Sequence, residues 1–100
     1  MILALEKDDA SVHLFASVSE AETHFEAIDV QNGEYEFCDE RGQRLAPEII
    51  APVTTFGAGS YRLRPMGAPE SALFSSFVSR ARYLARGCEE IQSLEDLKRE

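Results

Sequence analysis

The side chains here that best suit a nucleophile, a general base or a soft-metal ligand are His13, His24, Cys38 and Cys88. Acyl transfer needs a nucleophile, a base and an orienting acid within hydrogen-bond reach. A trio of Cys88, His24 and some carboxylate can be drawn, but no motif singles it out. Zinc sites announce themselves by close pairs such as CxxC or HxxxH, and neither spacing occurs. With no export signal to imply an oxidising compartment, the two cysteines read as buried thiols rather than as a disulfide. Gly57-Ala58-Gly59-Ser60 has the composition of a phosphate-cradling loop. Such a loop requires a helix directly after it, so that N–H groups and dipole face the anion. Tyr61-Arg62-Leu63-Arg64 follows and alternates like a strand, so a hairpin turn is the better reading. No catalytic residue, cofactor or metal ligand is assigned; the chain reads as a non-enzyme.

Charge carries more information. The chain of 100 residues has a net charge of −8, and the surplus is confined to its first half. Residues 1–50 hold twelve of the eighteen acids but only Lys7, Arg41 and Arg44 as bases. Glu20, Glu22, Glu26, Asp29, Glu34, Glu36, Asp39 and Glu40 fall on one expected helix, one strand and the turn beyond it. Nucleic acid is an unfavourable partner for such a surface, because binding depends on cations displacing condensed counterions. A cationic protein is the favoured one, steered by the field of the carboxylates. A solvated, solubilising face is the plainer alternative. In the second half, Arg62, Arg64, Arg80, Arg82 and Arg86 either offset those acids or form a basic patch for a small anionic metabolite or substrate.

The elements that must position these residues follow from periodicity. Met1–Leu5 reads as a buried strand and residues 11–17 as its hairpin partner, with His13 pointing away from Val12 and Leu14 as a surface histidine. Ser17 with Glu20, or Ser19 with Glu22, forms a capping box for a helix reaching about Val30. Asn32-Gly33 turns the chain into a strand over 34–39, and Gln43–Ala46 returns. Pro47 and Pro52 bracket a short edge strand or extended loop; 53–56 and 61–64 read as two further strands. Residues 69–86 repeat apolar side chains at i, i+3, i+4 and i+7, which predicts one long amphipathic helix. Ser93 with Asp96 caps a short closing helix over 94–99. The expected architecture is a single α+β domain over residues 1–100: a mostly antiparallel sheet, with one long C-terminal helix and one short helix of the N-terminal half packed on one face. Met1–Leu5 is too short and lacks the basic lead of a signal peptide, and no stretch reaches the ~20 apolar residues of a membrane helix. The expected location is the cytoplasm, with no membrane partner.

Residues 27–43, Ala-Ile-Asp-Val-Gln-Asn-Gly-Glu-Tyr-Glu-Phe-Cys-Asp-Glu-Arg-Gly-Gln, with the preceding Ser19-Glu20-Ala21-Glu22, resemble small acidic bacterial immunity proteins of contact-dependent growth inhibition and polymorphic toxin systems. The likeness covers about residues 12–45. It implies an inhibitor that works by occluding a cognate toxin domain. The charge distribution then makes Glu22, Glu26, Asp29, Glu34, Glu36, Asp39 and Glu40 the expected partner-binding face, one that would suit the cationic cleft of a nuclease. Tyr35 or Phe37 would serve as aromatic anchors if exposed.

Overall fold

A computed structural model describes all residues, 1–100. Six strands form one sheet: β1 (Ile2–Glu6), β2 (Ser11–Phe15), β3 (Tyr35–Asp39), β4 (Arg44–Ala51), β5 (Ser60–Met66) and β6 (Tyr83–Arg86). Four short helices accompany them: α1 (Val18–His24), α2 (Ala27–Gln31), α3 (Ser71–Arg80) and α4 (Leu94–Lys98). The strand order is β5-β4-β3-β1-β2-β6. All pairings are antiparallel except β2 with β6, so the sheet is mixed. None of the helices is long and apolar enough to cross a membrane.

The expected fold is corrected at three points. First, there is no long C-terminal helix: α3 ends at Arg80 and the chain becomes extended at Ala81, with ψ 130°. The Arg82 N–H then donates to the Ala10 carbonyl at 2.7 Å, and Tyr83–Arg86 runs parallel to β2. Ala81 and Leu84 suit a helical stripe and an alternating strand equally well. What decides between them is the free edge of β2, whose backbone groups gain a partner only if residues 83–86 unwind. Second, the helix expected over 18–30 is two helices. Phe25 breaks it at ψ 151°, with its ring stacked on Tyr35 at 3.9 Å between centroids. Third, the helices pack on both faces.

The two-sided packing follows from β1 and β2, which are apolar on both sides. Ile2, Ala4, Phe15, Phe37, Leu45, Tyr61 and Leu63 meet Ala21, Ala27 and Val30 of α1 and α2 on one face. Leu3, Leu5, Val12, Leu14 and Cys38 meet Phe77, Val78, Ala81, Ile91 and Leu97 on the other. A strand covered on both faces has no polar side to show, which is why Met1–Leu5 lacks alternation.

The β4–β5 hairpin is an arm. β3 pairs with β4 only at Phe37–Leu45 and Cys38–Arg44, after which β4 diverges and continues with β5 alone to Ala51. Pro47 lies inside this continuous strand, opposite Leu63. The Leu63 N–H points away from β4, so Pro47's missing donor faces the side that β3 has already left and costs no ladder bond. Residues 53–56 belong to the connection at the arm's tip and form no strand.

Candidate partner-binding face

Of the seven acids expected to bind a partner, four are committed within the fold. Glu22 on α1 accepts the Leu63 N–H at 2.8 Å and lies 3.4 Å from the Arg62 guanidinium, with its side chain 10% exposed. Along the outer edge of β5 the Leu63 N–H is thereby satisfied, and Pro65, two residues on, has no donor to offer. Glu36 lies on the opposite, α3 side, between Arg80 at 2.9 Å and Arg44 at 3.6 Å. Asp39 accepts the Arg41 and Gln43 N–H groups, each at 2.9 Å, and organises the β3–β4 turn. Burial works to raise its carboxyl, but the Gln43 N–H, then the Arg41 side chain and N–H, hold it below the usual carboxylate range. Glu40 pairs with the terminal amine at 3.1 Å.

Glu26, Asp29 and Glu34 take part in none of the ion pairs. They form a continuous track. Glu26 precedes α2 and Asp29 follows one turn along it, the Asp29 N–H bonding the Glu26 carbonyl at 3.1 Å. The Glu34 N–H bonds the Asp29 carbonyl at 3.2 Å, and the Glu34 carbonyl receives the Lys7 N–H at 2.9 Å. Desolvation, and then the carboxylates of Asp29 and Asp8, push the Glu34 carboxyl up. Repulsion among these groups is what a complementary cation would relieve. The acidic surface thus consists of Glu26, Asp29, Glu34 and the Asp8 turn.

Neither expected aromatic anchor is free. Phe37 is buried and Tyr35 is half-buried against Phe25. The most exposed aromatic is Phe56, 100% accessible at the tip of the arm; Tyr83 on edge strand β6 is 60% accessible. Between that tip and the α1–α2 corner lies a cleft of about 770 Å3, lined by Glu22, Phe25, Glu26, Ile28, Val53 and Phe56 among others. Sequence reading missed Phe56 because it took 53–56 as a strand; the nearby Gly57-Ala58-Gly59 was the signal that this is a tip. No helix follows Gly57-Ala58-Gly59-Ser60, but the expected tight turn between strands 53–56 and 61–64 is corrected: residues 52–59 form the whole connection from β4 to β5, and Ser60 already belongs to β5.

His13 corrects its expected surface position. Its side chain is 13% exposed, its Nε2 has no hydrogen-bond partner, and Glu6 lies 4.0 Å away. The ring stands edge-on to Phe25 at 5.1 Å and 6.0 Å from His24. Burial pushes the Cys38 thiol up to about 12 and raises Cys88 as well. Both disfavour the reactive thiolate.

The five arginines do not converge. Arg62 and Arg64 sit on edge strand β5 and pair with Glu22 and Glu48. Arg86 is on the other edge strand, β6; it bonds the Leu14 carbonyl, covers the Phe15 ring at 4.7 Å and reaches Glu20 at 3.9 Å. Arg80 holds Glu36. Arg82 has no ion-pair partner, and no concave site collects these cations. The sheet curls around α1 instead, and that helix's Glu22 and Glu20 reach its opposite edges.

No protein-family model, curated protein or solved structure matches this chain.

Proposed function

We propose that this chain is an immunity-type protein: a non-enzymatic binder that neutralises a cognate secreted toxin domain in the cytoplasm by covering its basic surface. The reading rests on one observation above the others. The carboxylates of Glu26, Asp29, Glu34 and Asp8 make no ion pair within the molecule, with Lys7 the one cation bordering them along the chain, while the other acids of the first half are largely engaged inside the fold. If the toxin acts on nucleic acid, its cleft is built to hold phosphates, and carboxylates at similar spacing can occupy it. Such a field speeds encounter and sets register more than it supplies raw affinity, so the complex should weaken as salt is raised.

The test begins with the gene immediately upstream, which should encode a secreted protein ending in a toxin domain, and proceeds by co-expressing that domain with this chain. Wild type should co-purify with it and protect cells from it. The Glu26→Lys, Asp29→Lys, Glu34→Lys triple variant should keep its fold by circular dichroism yet lose the complex. Retention of full affinity by that variant removes the acidic-surface mechanism.

A further inference from the structure

The tip of the β4–β5 arm is built to hold an aromatic ring away from the molecule. The Thr54 N–H donates to the Gly57 carbonyl at 2.9 Å, and the Gly57 N–H returns to the Thr54 carbonyl at 3.4 Å. This closed turn holds Phe56 fully exposed. Behind it, Gly59 adopts φ +78°, and a Cβ there would come within 2.8 Å of the Ala51 carbonyl oxygen, so the loop closes too tightly for a side chain. A large apolar group on a pre-formed turn loses little conformational freedom on binding, as suits an interface anchor. Across the cleft stands Ile28, 44% exposed, and the rim carries the unpaired Glu26 with no basic residue among the lining side chains, the other lining acid, Glu22, being held by Arg62 and the Leu63 N–H. Apolar walls inside an acidic rim specify the occupant by charge as well as by shape.

We infer that Phe56 and this cleft are the apolar anchor of the partner interface, and that they take a cationic amphipathic segment of another protein. An apolar side chain of that segment packs between Phe56 and Ile28, and its Lys or Arg residues meet Glu26 and Asp29. A second copy of this chain is a poor occupant, because it would set like carboxylates against each other. The inference rests on the toxin-binding reading only in naming which part of the partner is gripped.

The probe is a synthetic amidated 14-residue peptide of Leu and Lys in helical repeat, titrated into the isotope-labelled chain and followed by amide chemical shifts. Shifts should be concentrated in residues 22–28 and 53–61. Phe56→Ser, which removes no intramolecular contact and should melt like wild type, should weaken binding about tenfold or more, and Glu26→Lys should do likewise. A peptide with Glu in place of Lys should not bind. Shifts spread elsewhere, no binding, or unchanged affinity of Phe56→Ser would overturn the inference. So would sedimentation showing self-association that Phe56→Ser abolishes, which would make a second copy the occupant. The two readings fail separately. A toxin bound and neutralised equally well by Phe56→Ser leaves the immunity role standing without the anchor. Phe56-dependent peptide binding with no toxin binding leaves the anchor without the toxin.

Discussion

At the scale of single residues, His13 shows how register gives a side chain its chemistry. It lies opposite Ala4, whose small side chain leaves space for an imidazole among Phe25, Tyr35 and His24. Burial lowers its pKa below the ordinary 6.5, with nearby His24 and Arg86 acting in the same direction and Asp9 against it. In the folded state the ring therefore holds its proton less well than in the unfolded chain. Its contribution to stability is complete above about pH 6.5 and is lost as pH falls below that, through the folded-state value. His13→Leu should be at least as stable as wild type at neutral pH, because it removes an unpartnered buried nitrogen. Thermal melts from pH 8 to 5 should show the variant's advantage growing as pH drops; an advantage that does not change with pH would refute the account. The alternation of Val12 and Leu14 with His13 was readable in the sequence. That the other side of the strand is also covered was not, because that depends on where α1 packs.

At the scale of elements, the helix caps were legible because their partner atoms lie within a few residues, although the equally local Thr54–Gly57 turn was misread as a strand. Ser17 Oγ accepts the Glu20 N–H at 3.2 Å, and Ser93 Oγ accepts the Asp96 N–H at 3.1 Å, as caps do. The other failures are places where a distant partner outbids local preference. The end of α3 is set by Ala10 and β2, and the break at Phe25 by a ring stacked on β3. The β3–β4 turn is tied in the same way: Gly42 has φ +83°, its carbonyl accepts the Glu70 N–H at 3.0 Å, and a Cβ there would stand 1.9 Å from the Glu70 carbonyl oxygen. Gly42→Ala therefore forces both a left-handed alanine and displacement of the segment leading into α3. A loss of about 2–4 kcal/mol is expected, read from denaturant midpoints. A loss below about 1 kcal/mol would mean that the turn and the start of α3 are not locked together.

At the scale of the whole molecule, one sheet carries two cores, joined through β1, β2 and the Phe37-Cys38 pair of β3. Phe37 fills the α1–α2 side and Phe77 the α3–α4 side, both essentially fully buried. Phe37→Ala and Phe77→Ala should each cost about 3–5 kcal/mol. In a domain whose total stability is of order 5–15 kcal/mol, either leaves a marginal protein. Because the strands are shared, each variant should still unfold in one transition, with probes on the two faces coinciding. Separate transitions would show that the faces are independent units. By itself the sequence determined the composition of the core, the helix caps, the turns at Gly33 and Gly42 and the excess of acid in the first half, since all of these depend on residue type or on neighbours a few positions away. Only the tertiary structure decided which carboxylates remain free. Glu22, Glu36 and Glu40 count as charge in any tally along the chain, and folding brings to each a cation from far along it that no spacing reveals, whereas Asp39 is held within its own turn by Arg41 and Gln43. The same cause moved residues 83–86 out of a helix and into the sheet: an unpaired strand edge, far away in sequence, needed their backbone.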